Sequence, residues 1–330
     1  MERERRSTIK VFCFIFIFLP MALIVSSAMA AEEPYPNRPI NIMIHMAPGG
    51  VVDTHVKIVG DRMAEILGQP LVRVHKPGGG GSLAASLLAK AKPDGYTLFT
   101  GTSTTNVMIP MVKKVDYTID DLLPLGIYAK AVHTFYVKTD AKWKTFQEFI
   151  EDARTRPGQL KISSYGKQTF GDFVIEDLNK KAGIKLVQVP YKSCAETVSA
   201  VMGGHVDADV CTSSMGQVAA GAVRILAVAD KERSDFCPDV KTMKEWGYPV
   251  EIPAFFSFCV PAKTPKPIVD KLSNAMQEVF KRYGKQIKDE LLKLETVPVF
   301  YNSQQSIQRF KENYEMAYRI AKEIGYIEGK

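Results

Sequence analysis

The sequence predicts an α/β fold built on a largely parallel sheet. Short apolar segments alternate with helical patterns between residues 39 and 101, and a glycine-rich turn follows each of the first two apolar segments. Strand–helix alternation of this kind is typical of parallel sheets. Beyond the N-terminal segment, roughly 300 residues remain, which is enough for two domains of ordinary size.

The N-terminus has the pattern of an export signal. Arg3, Arg5, Arg6 and Lys10 precede an apolar run over residues 11–25, and Ala28-Met29-Ala30 resembles a cleavage site. The alternative is a membrane anchor, but the run is shorter than the ~20 residues that span a bilayer. Cys13 lies inside the apolar run, so no lipobox is present at the cleavage site. We expect a signal peptide over residues 1–30 and a soluble, periplasmic mature protein.

The charge pattern favours small anions over nucleic acids. The formal net charge of +7 falls to +5 without residues 1–30, which hold four basic and two acidic residues, and this remaining excess is spread along the chain without a basic block. Such a mild excess suits the steering of small anionic molecules, and no nucleic-acid-binding motif is present.

The first half of the α/β pattern ends near residue 101. Strands are predicted at 40–44, 71–74 and 96–100, and helices at 51–67 and 82–91. A second α/β unit follows, with strands predicted at 132–137, 161–164, 186–189, 206–210 and 224–229 and helices at 145–154, 170–182 and 195–202.

The C-terminal part predicts one more strand and two long helices. The strand covers residues 255–260, and the helices cover 268–294, with a possible break at Tyr283-Gly284, and 303–324. These helices have no predicted sheet of their own, so we expect them to pack on the first unit. The predicted domains are 31–132 plus 253–330 and 133–252, with a cleft between them.

Two glycine turns are the first candidates for a binding site. The stretch Ala47-Pro48-Gly49-Gly50-Val51-Val52-Asp53 links a predicted strand to a helix, and Gly78-Gly79-Gly80-Gly81 does the same after the next strand. Glycines allow close backbone approach, and a helix N-terminus attracts anions. The alternative is a plain strand–helix connection. The predicted binding residues here are Pro48, Gly49, Gly50, Asp53 and Gly80.

Polar loops after later strands supply further candidates. Thr102, Ser103 and Asn106 follow the third predicted strand, where a generic polar loop is the alternative. The loop after residues 161–164 contributes Ser164, Tyr165, Gly166, Gln168 and Thr169, with helix capping as the alternative. Ser193 and Cys194 complete the predicted binding set.

Enzyme motifs are absent from the sequence. The glycine runs lack the P-loop and dinucleotide-binding patterns, and no G-x-S-x-G or H-E-x-x-H motif is present. We therefore expect no catalytic residue, cofactor or metal.

Four cysteines remain after residue 30 (Cys194, Cys211, Cys237 and Cys259), and they allow three pairings. Because a chain of this length folds without crosslinks, we expect free or buried thiols.

In order along the chain, the motifs resemble those of the Bug/TctC family of periplasmic solute-binding receptors, which serve tripartite tricarboxylate transporters. The resemblance starts near Tyr35 and runs to the C-terminus. The matching segments are 35–40, 47–53 (PPGGxxD in the family), 76–81, Pro93-Asp94-Gly95-Tyr96-Thr97-Leu98, Val189-Pro190-Tyr191-Lys192, 203–207 and 233–247.

The resemblance implies a two-domain type II periplasmic-binding fold with a hinged ligand cleft. It implies that Pro48, Gly49, Gly50 and Asp53 hold a ligand carboxylate, largely through backbone amides, and that Ser164, Gly166 and Thr169 contribute from the second domain. Several residues depart from the family pattern: Gln168, Ser193 and Cys194 replace glycines, Thr169 replaces a serine, and Asp172 stands where histidine is frequent.

The function expected from these observations is capture of a small organic carboxylate and its delivery to transporter membrane subunits. We expect a monomer with no nucleic-acid partner. Two alternatives remain open: a ligand-sensing subunit without a transport role, and an exported enzyme acting on a small acid.

Overall fold

The computed structural model of the protein describes residues 35–212 and 215–327. The predicted signal peptide over residues 1–30 lies outside the described residues. Among the helices within them, none combines the length and the apolar character that a bilayer span requires.

The described chain contains two β-sheets. The strands are β1 (Ile40–Ile44), β2 (Leu71–His75), β3 (Thr97–Thr102), β4 (Leu122–Ala131), β5 (Thr134–Lys138), β6 (Lys161–Ser164), β7 (Val187–Pro190), β8 (Ala208–Cys211), β9 (Val223–Val228), β10 (Ala254–Pro261) and β11 (Thr296–Asn302). The first sheet has the order β11-β4-β10-β3-β1-β2, and the second has the order β7-β6-β8-β5-β9.

Helices connect and cover these strands. They are α1 (Val51–His55), α2 (Asp61–Leu67), α3 (Ser82–Ala89), α4 (Ile109–Val112), α5 (Phe146–Thr155), α6 (Phe170–Ala182), α7 (Cys194–Met202), α8 (Met215–Ala219), α9 (Lys266–Leu292) and α10 (Ser303–Glu323). A π-helical turn, Val56–Gly60, joins α1 to α2, so that helical backbone runs unbroken from residue 51 to residue 67. The helix predicted over 51–67 is confirmed.

Each sheet contains a parallel group of strands. In the first sheet β1 pairs in parallel with β2 and β3, whereas β4, β10 and β11 join by antiparallel pairing. In the second sheet β6 pairs in parallel with β7 and β8, and β5 is antiparallel to β8 and β9. Because the carboxyl ends of parallel strands meet at one edge, the loops after β1–β3 lie together, as do those after β6–β8.

The chain passes between the sheets twice. It leaves the first sheet after β4 and enters the second at β5, through Val132 and His133. It returns after β9, through residues 229–253, to β10 of the first sheet. The α9–β11–α10 segment then packs on the first sheet through β4 and β11. The exact domain limits stay a prediction.

Apolar side chains bury the faces of both sheets. One cluster reaches from the first sheet to the second and includes Ile127 of β4, Phe135 of β5 and Phe310 of α10, all nearly inaccessible to solvent. Another joins β1 to the helical layer through Ile42, Val59 and Leu272. The long C-terminal helices therefore complete the core, because without them the outer face of β4 would expose apolar side chains.

Two strands and two short helices, α4 and α8, differ from the sequence-based expectation, which contained none of the four. Strands β4 and β11 were not predicted. Pro124, Gly126 and Pro298 weaken their strand patterns, and both strands carry register shifts where they pair. The helix predicted with a possible break at Tyr283-Gly284 is continuous as α9.

Candidate functional site

The three loops at the carboxyl ends of β1, β2 and β3 converge on one edge of the first sheet. The second glycine run forms a 3₁₀ turn over Gly79–Gly81 directly before α3. The Gly81 backbone has φ +104°, and a Cβ atom there would overlap the Thr105 methyl group and lie 3.1 Å from His45 Cδ2. Gly81 is therefore the point at which the three loops touch. Gly80, with φ +69°, lies beside it and is exposed.

The first glycine turn presents a helix N-terminus. Gly49 has φ +79°, a conformation suited to glycine, while Gly50 is the N-cap residue with φ −72°. Pro48 and Gly49 are exposed. In the described part of the chain, nothing accepts a hydrogen bond from the N–H groups of Val51 and Val52. The turn thus offers unpaired donors at the positive end of a helix, the arrangement that attracts anions.

Asp53 holds this turn in place. Its buried carboxylate accepts a hydrogen bond from the Gly49 N–H at 2.9 Å, and it lies 3.1 Å from His75 Nε2. Burial alone would raise the pKa of Asp53, but the Gly49 hydrogen bond and His75 outweigh it and hold the pKa below its ordinary value. Asp53 is therefore ionised at neutral pH, and its oxygens are engaged by the protein.

The loop after β3 is tied to the interior more closely than its composition indicates. Ser103 is almost fully buried, and its Oγ accepts a hydrogen bond from the Phe255 N–H at 2.9 Å. Asn106 is also buried, and its Nδ2 donates to Cys259 Sγ at 3.3 Å. Thr102 remains half-buried, with its N–H donating to Thr105 Oγ1. The Ser103 and Asn106 side chains therefore brace the loop from within.

The second sheet presents a comparable edge at the ends of β6, β7 and β8. Ser164, the last residue of β6, is buried, and its Oγ accepts a hydrogen bond from Gln188 Nε2 at 2.7 Å. Thr169 is the N-cap of α6, and Ser193 is the N-cap of α7. The capping alternative is thus realised for Thr169, and Ser193 has the same role although capping was not predicted for it. Tyr165, Gly166, Gln168 and Thr169 are half-buried at this edge.

The loop before α6 repeats the arrangement of the first glycine turn. Gln168 has φ +58°, as Gly49 has φ +79°, and its N–H donates to Asp172 Oδ2 at 2.8 Å. Asp172 is fully buried and also contacts Lys167 Nζ at 3.1 Å and the Tyr326 hydroxyl. At each sheet edge, therefore, a residue with positive φ directly precedes the helix N-cap residue. The N–H of that residue donates a hydrogen bond to a buried aspartate in the first turn of the helix.

Gln168 occupies a backbone conformation in which a side chain is strained. We expect Gln168→Gly to stabilise the protein by up to about 1 kcal/mol, because glycine reaches positive φ without a steric penalty. Urea unfolding measures the change. Gln308→Gly, at an exposed position inside α10, is the matched control and should destabilise by about 1 kcal/mol. A loss of stability in both variants would contradict the strain at Gln168.

The structure corrects the expectation of four unpaired thiols. Cys194 and Cys211 form a disulfide with their Cα atoms 5.8 Å apart, whereas Cys237 and Cys259 are free and buried. The fold brings the first residue of α7 beside the last residue of β8, a proximity that no local sequence pattern reveals. The Cys194 sulfur is therefore committed to a crosslink, which fastens α7 beside the second-sheet edge.

Three residues that organise these loops were not among the predicted binding residues, although Asp172 was noted as a departure from the family pattern. Asp172 lies three residues after the cap Thr169, so the capping pattern could have indicated it. His75 and Tyr326 gave no local signal, because each reaches its aspartate from a distant part of the chain.

The described cavities lie away from the glycine turns. A cavity of about 360 Å³ is lined by Asn106 together with Phe310 and Tyr314 of α10. None of the predicted binding residues lines either of the other two described cavities.

Comparisons with known proteins agree with this architecture. Residues 56–326 match the family model described as the tripartite tricarboxylate transporter family receptor. A UPF0065 protein from the gbd 5′ region of Cupriavidus necator is 31% identical over 313 residues, covering 92% of this chain and 93% of the relative. BugT of Bordetella pertussis is 26% identical over 270 residues, covering 80% and 82%.

Solved structures show the same fold. A periplasmic transporter structure aligns with a TM-score of 0.76 at 30% identity, covering 87% of this chain and 97% of its own. MatC from Rhodopseudomonas palustris with bound malate aligns with a TM-score of 0.72 at 25% identity, covering 87% and 99%. The expected periplasmic-binding fold is confirmed. Given the extent of the family match and of the alignment to its relatives, the chain belongs to the TctC/Bug family of tripartite tricarboxylate transporter receptors.

Proposed function

We propose that this protein captures a small organic carboxylate in the periplasm and presents it to the membrane subunits of a transporter. The observation that carries the proposal is the first glycine turn, where the N–H groups of Val51 and Val52 lack partners at an exposed helix N-terminus. Such donors bind a carboxylate without a lysine or arginine.

The two sheet edges suit the two ends of a dicarboxylate. The loop before α6 repeats the backbone arrangement of the first turn, and α6 supplies a second helix N-terminus. The similarity to MatC, whose structure contains malate, supports a short dicarboxylate as the ligand. In this proposal the Val51 and Val52 N–H groups at the α1 N-terminus hold one carboxylate, which Gly49 and Gly50 allow to approach closely. At the second-sheet edge, Gly166, Gln168 and Thr169 approach the other carboxylate.

Asp53 and Asp172 act as positioning residues in this proposal. Both carboxylates would repel an anionic ligand in direct contact, but each already accepts a backbone N–H and lies beside a basic side chain, His75 or Lys167. They fix the two loops so that the remaining N–H groups point to the ligand before it arrives, which lowers the entropic cost of binding.

Export by a cleaved signal peptide, a monomeric state and the absence of catalysis are parts of the same proposal. The family match supports a receptor role. A ligand-sensing subunit remains the second candidate, and the neighbouring genes separate the two, because membrane transporter subunits indicate uptake and a sensor kinase indicates signalling.

A screen of paired ligands tests the proposal. Malate and succinate, at concentrations well above their dissociation constants, should raise the melting temperature by roughly 5 °C, whereas the corresponding diamides should not. The physical reason is that helix N-terminal donors favour a negative charge over a neutral amide. Longer dicarboxylates up to adipate extend the panel. Equal shifts from acids and amides, or none from any acid, would contradict carboxylate capture.

A further inference from the structure

Three residues of the two passages between the sheets are joined in a closed ring of hydrogen bonds. The Ala229 N–H donates to the His133 carbonyl at 2.8 Å, and the Ile252 N–H donates to the Ala229 carbonyl at 3.2 Å. The third side is formed by the His133 ring, whose Nδ1 lies 3.3 Å from the Ile252 carbonyl. We call these three residues the crossing ring. It contains one residue from the outgoing passage between the sheets and two from the return.

The His133 side chain extends this ring to the loop before α6. Its Nε2 lies 2.8 Å from the Tyr165 hydroxyl, and that hydroxyl accepts a hydrogen bond from the Gly171 N–H at 3.1 Å. Complete burial lowers the pKa of His133 to about 4, so its ring is neutral at neutral pH, with one donor and one acceptor nitrogen. Since a carbonyl can only accept, Nδ1–H donates to Ile252 and Nε2 accepts from Tyr165.

The loop after β3 is bonded to the first sheet next to the end of the return passage. Ser103 Oγ accepts the N–H of Phe255, the second residue of β10 and three residues beyond Ile252. The second-sheet edge is therefore attached to the passages through Tyr165 and His133, whereas Ser103 fixes the first-sheet edge to β10, where the return passage ends.

We propose that His133 and Tyr165 are positioning residues that couple the loop before α6 to the crossing ring, so that the conformation of each depends on the other. A change in the angle between the sheets must alter backbone in the crossing segments, since these segments join the two sheets. The hydrogen bonds from Ile252 through His133 and Tyr165 to Gly171 then transmit that change to the loop. Because this coupling serves ligand capture, the inference rests on the proposed function.

Amide hydrogen exchange measures the coupling without any ligand. Tyr165→Phe keeps the ring and removes the hydroxyl that joins Gly171 to His133. We expect exchange about two- to tenfold faster at residues 166–171 and also at residues 250–254, because loss of one hydrogen bond destabilises both ends of a coupled path. His133→Asn, which retains a donor near the Ile252 carbonyl, should accelerate exchange at residues 166–171 in the same range.

Tyr128→Phe is the matched control. Tyr128 is fully buried in β4, and its hydroxyl has no hydrogen-bond partner within the described residues, so exchange in both segments should stay at the wild-type rate. Acceleration in Tyr165→Phe that remains confined to residues 166–171 would overturn the coupling.

Binding of malate and succinate to the same variants separates this inference from the proposed function. If the wild type binds an acid, Tyr165→Phe and His133→Asn should weaken its affinity by about two- to tenfold, and Tyr128→Phe should not. If no acid binds the wild type, the proposed function fails while remote exchange effects still support the coupling. If an acid binds the wild type and Tyr165→Phe leaves amide exchange at residues 250–254 unchanged, the coupling is contradicted while the proposed function stands.

Discussion

Gly81→Ala is expected to destabilise the protein by about 2–4 kcal/mol and to abolish carboxylate binding by the folded fraction. Two costs combine at this position. The backbone has φ +104°, which a side chain rarely adopts, and the new Cβ would overlap the Thr105 methyl group and lie close to the His45 ring. Relief requires the second glycine turn to move away from the ends of β1 and β3, which separates the loops that form the first-sheet edge.

Gly183→Ala is the control that separates backbone strain from packing. Gly183 has φ +63° at the end of α6, and a Cβ there would have nothing within 4 Å. Gly183→Ala should lower the free energy of unfolding by only about 1 kcal/mol, through backbone strain. Guanidinium unfolding of both variants at neutral pH measures the difference. Equal losses of unfolding free energy in the two variants would show that the close packing of Gly81 against His45 and Thr105 adds nothing to the cost of the substitution.

The strands and helices that depend on local sequence patterns could be predicted from the sequence. Apolar strands followed by glycine turns and helices predicted β1, β2, α1 and α3 to within a few residues. Strands β4 and β11 were missed because their pairing is set by distant partners. β4 lies between β10 and β11, so its stability depends on strands more than a hundred residues away, whereas Pro124 and Gly126 act against it locally.

The candidate site shows the same limit at the level of single residues. Adjacent glycines at 49 and 50 look alike in sequence, yet only Gly49 has positive φ. Ser103 and Asn106 have the composition of an exposed polar loop, yet their side chains are buried against β10. Small polar residues at a strand end bind a ligand or brace the interior equally well, and only the tertiary contacts distinguish the two.

The residues that depart from the family pattern have different structural roles. Gln168 retains the backbone conformation of the glycine that it replaces, so the substitution adds a side chain at the cost of strain. Cys194 replaces another glycine and forms a crosslink. The sequence could identify both changes but could not separate a side chain available to a ligand from one that supports the loop.

Loss of the Cys194–Cys211 disulfide is expected to lower the free energy of unfolding by about 3 kcal/mol, a value typical of crosslinks that close loops of this size. The two cysteines are 17 residues apart, and the disulfide restricts the unfolded chain over that loop. Reduction should therefore lower the melting temperature of the wild type. Mass spectrometry of the unreduced, denatured protein should show two alkylatable thiols, those of Cys237 and Cys259, after removal of the N-terminal segment.

The Cys194→Ser/Cys211→Ser variant provides the control for reduction. It should have the stability of the reduced wild type, and added reductant should change it no further, because the remaining cysteines are unpaired. Since Cys194 is the first residue of α7 and Ser193 caps that helix, the variant should also show faster amide exchange at residues 191–196. Identical unfolding curves for the wild type with and without reductant, under conditions in which alkylation proves complete reduction, would show that the crosslink contributes nothing to stability.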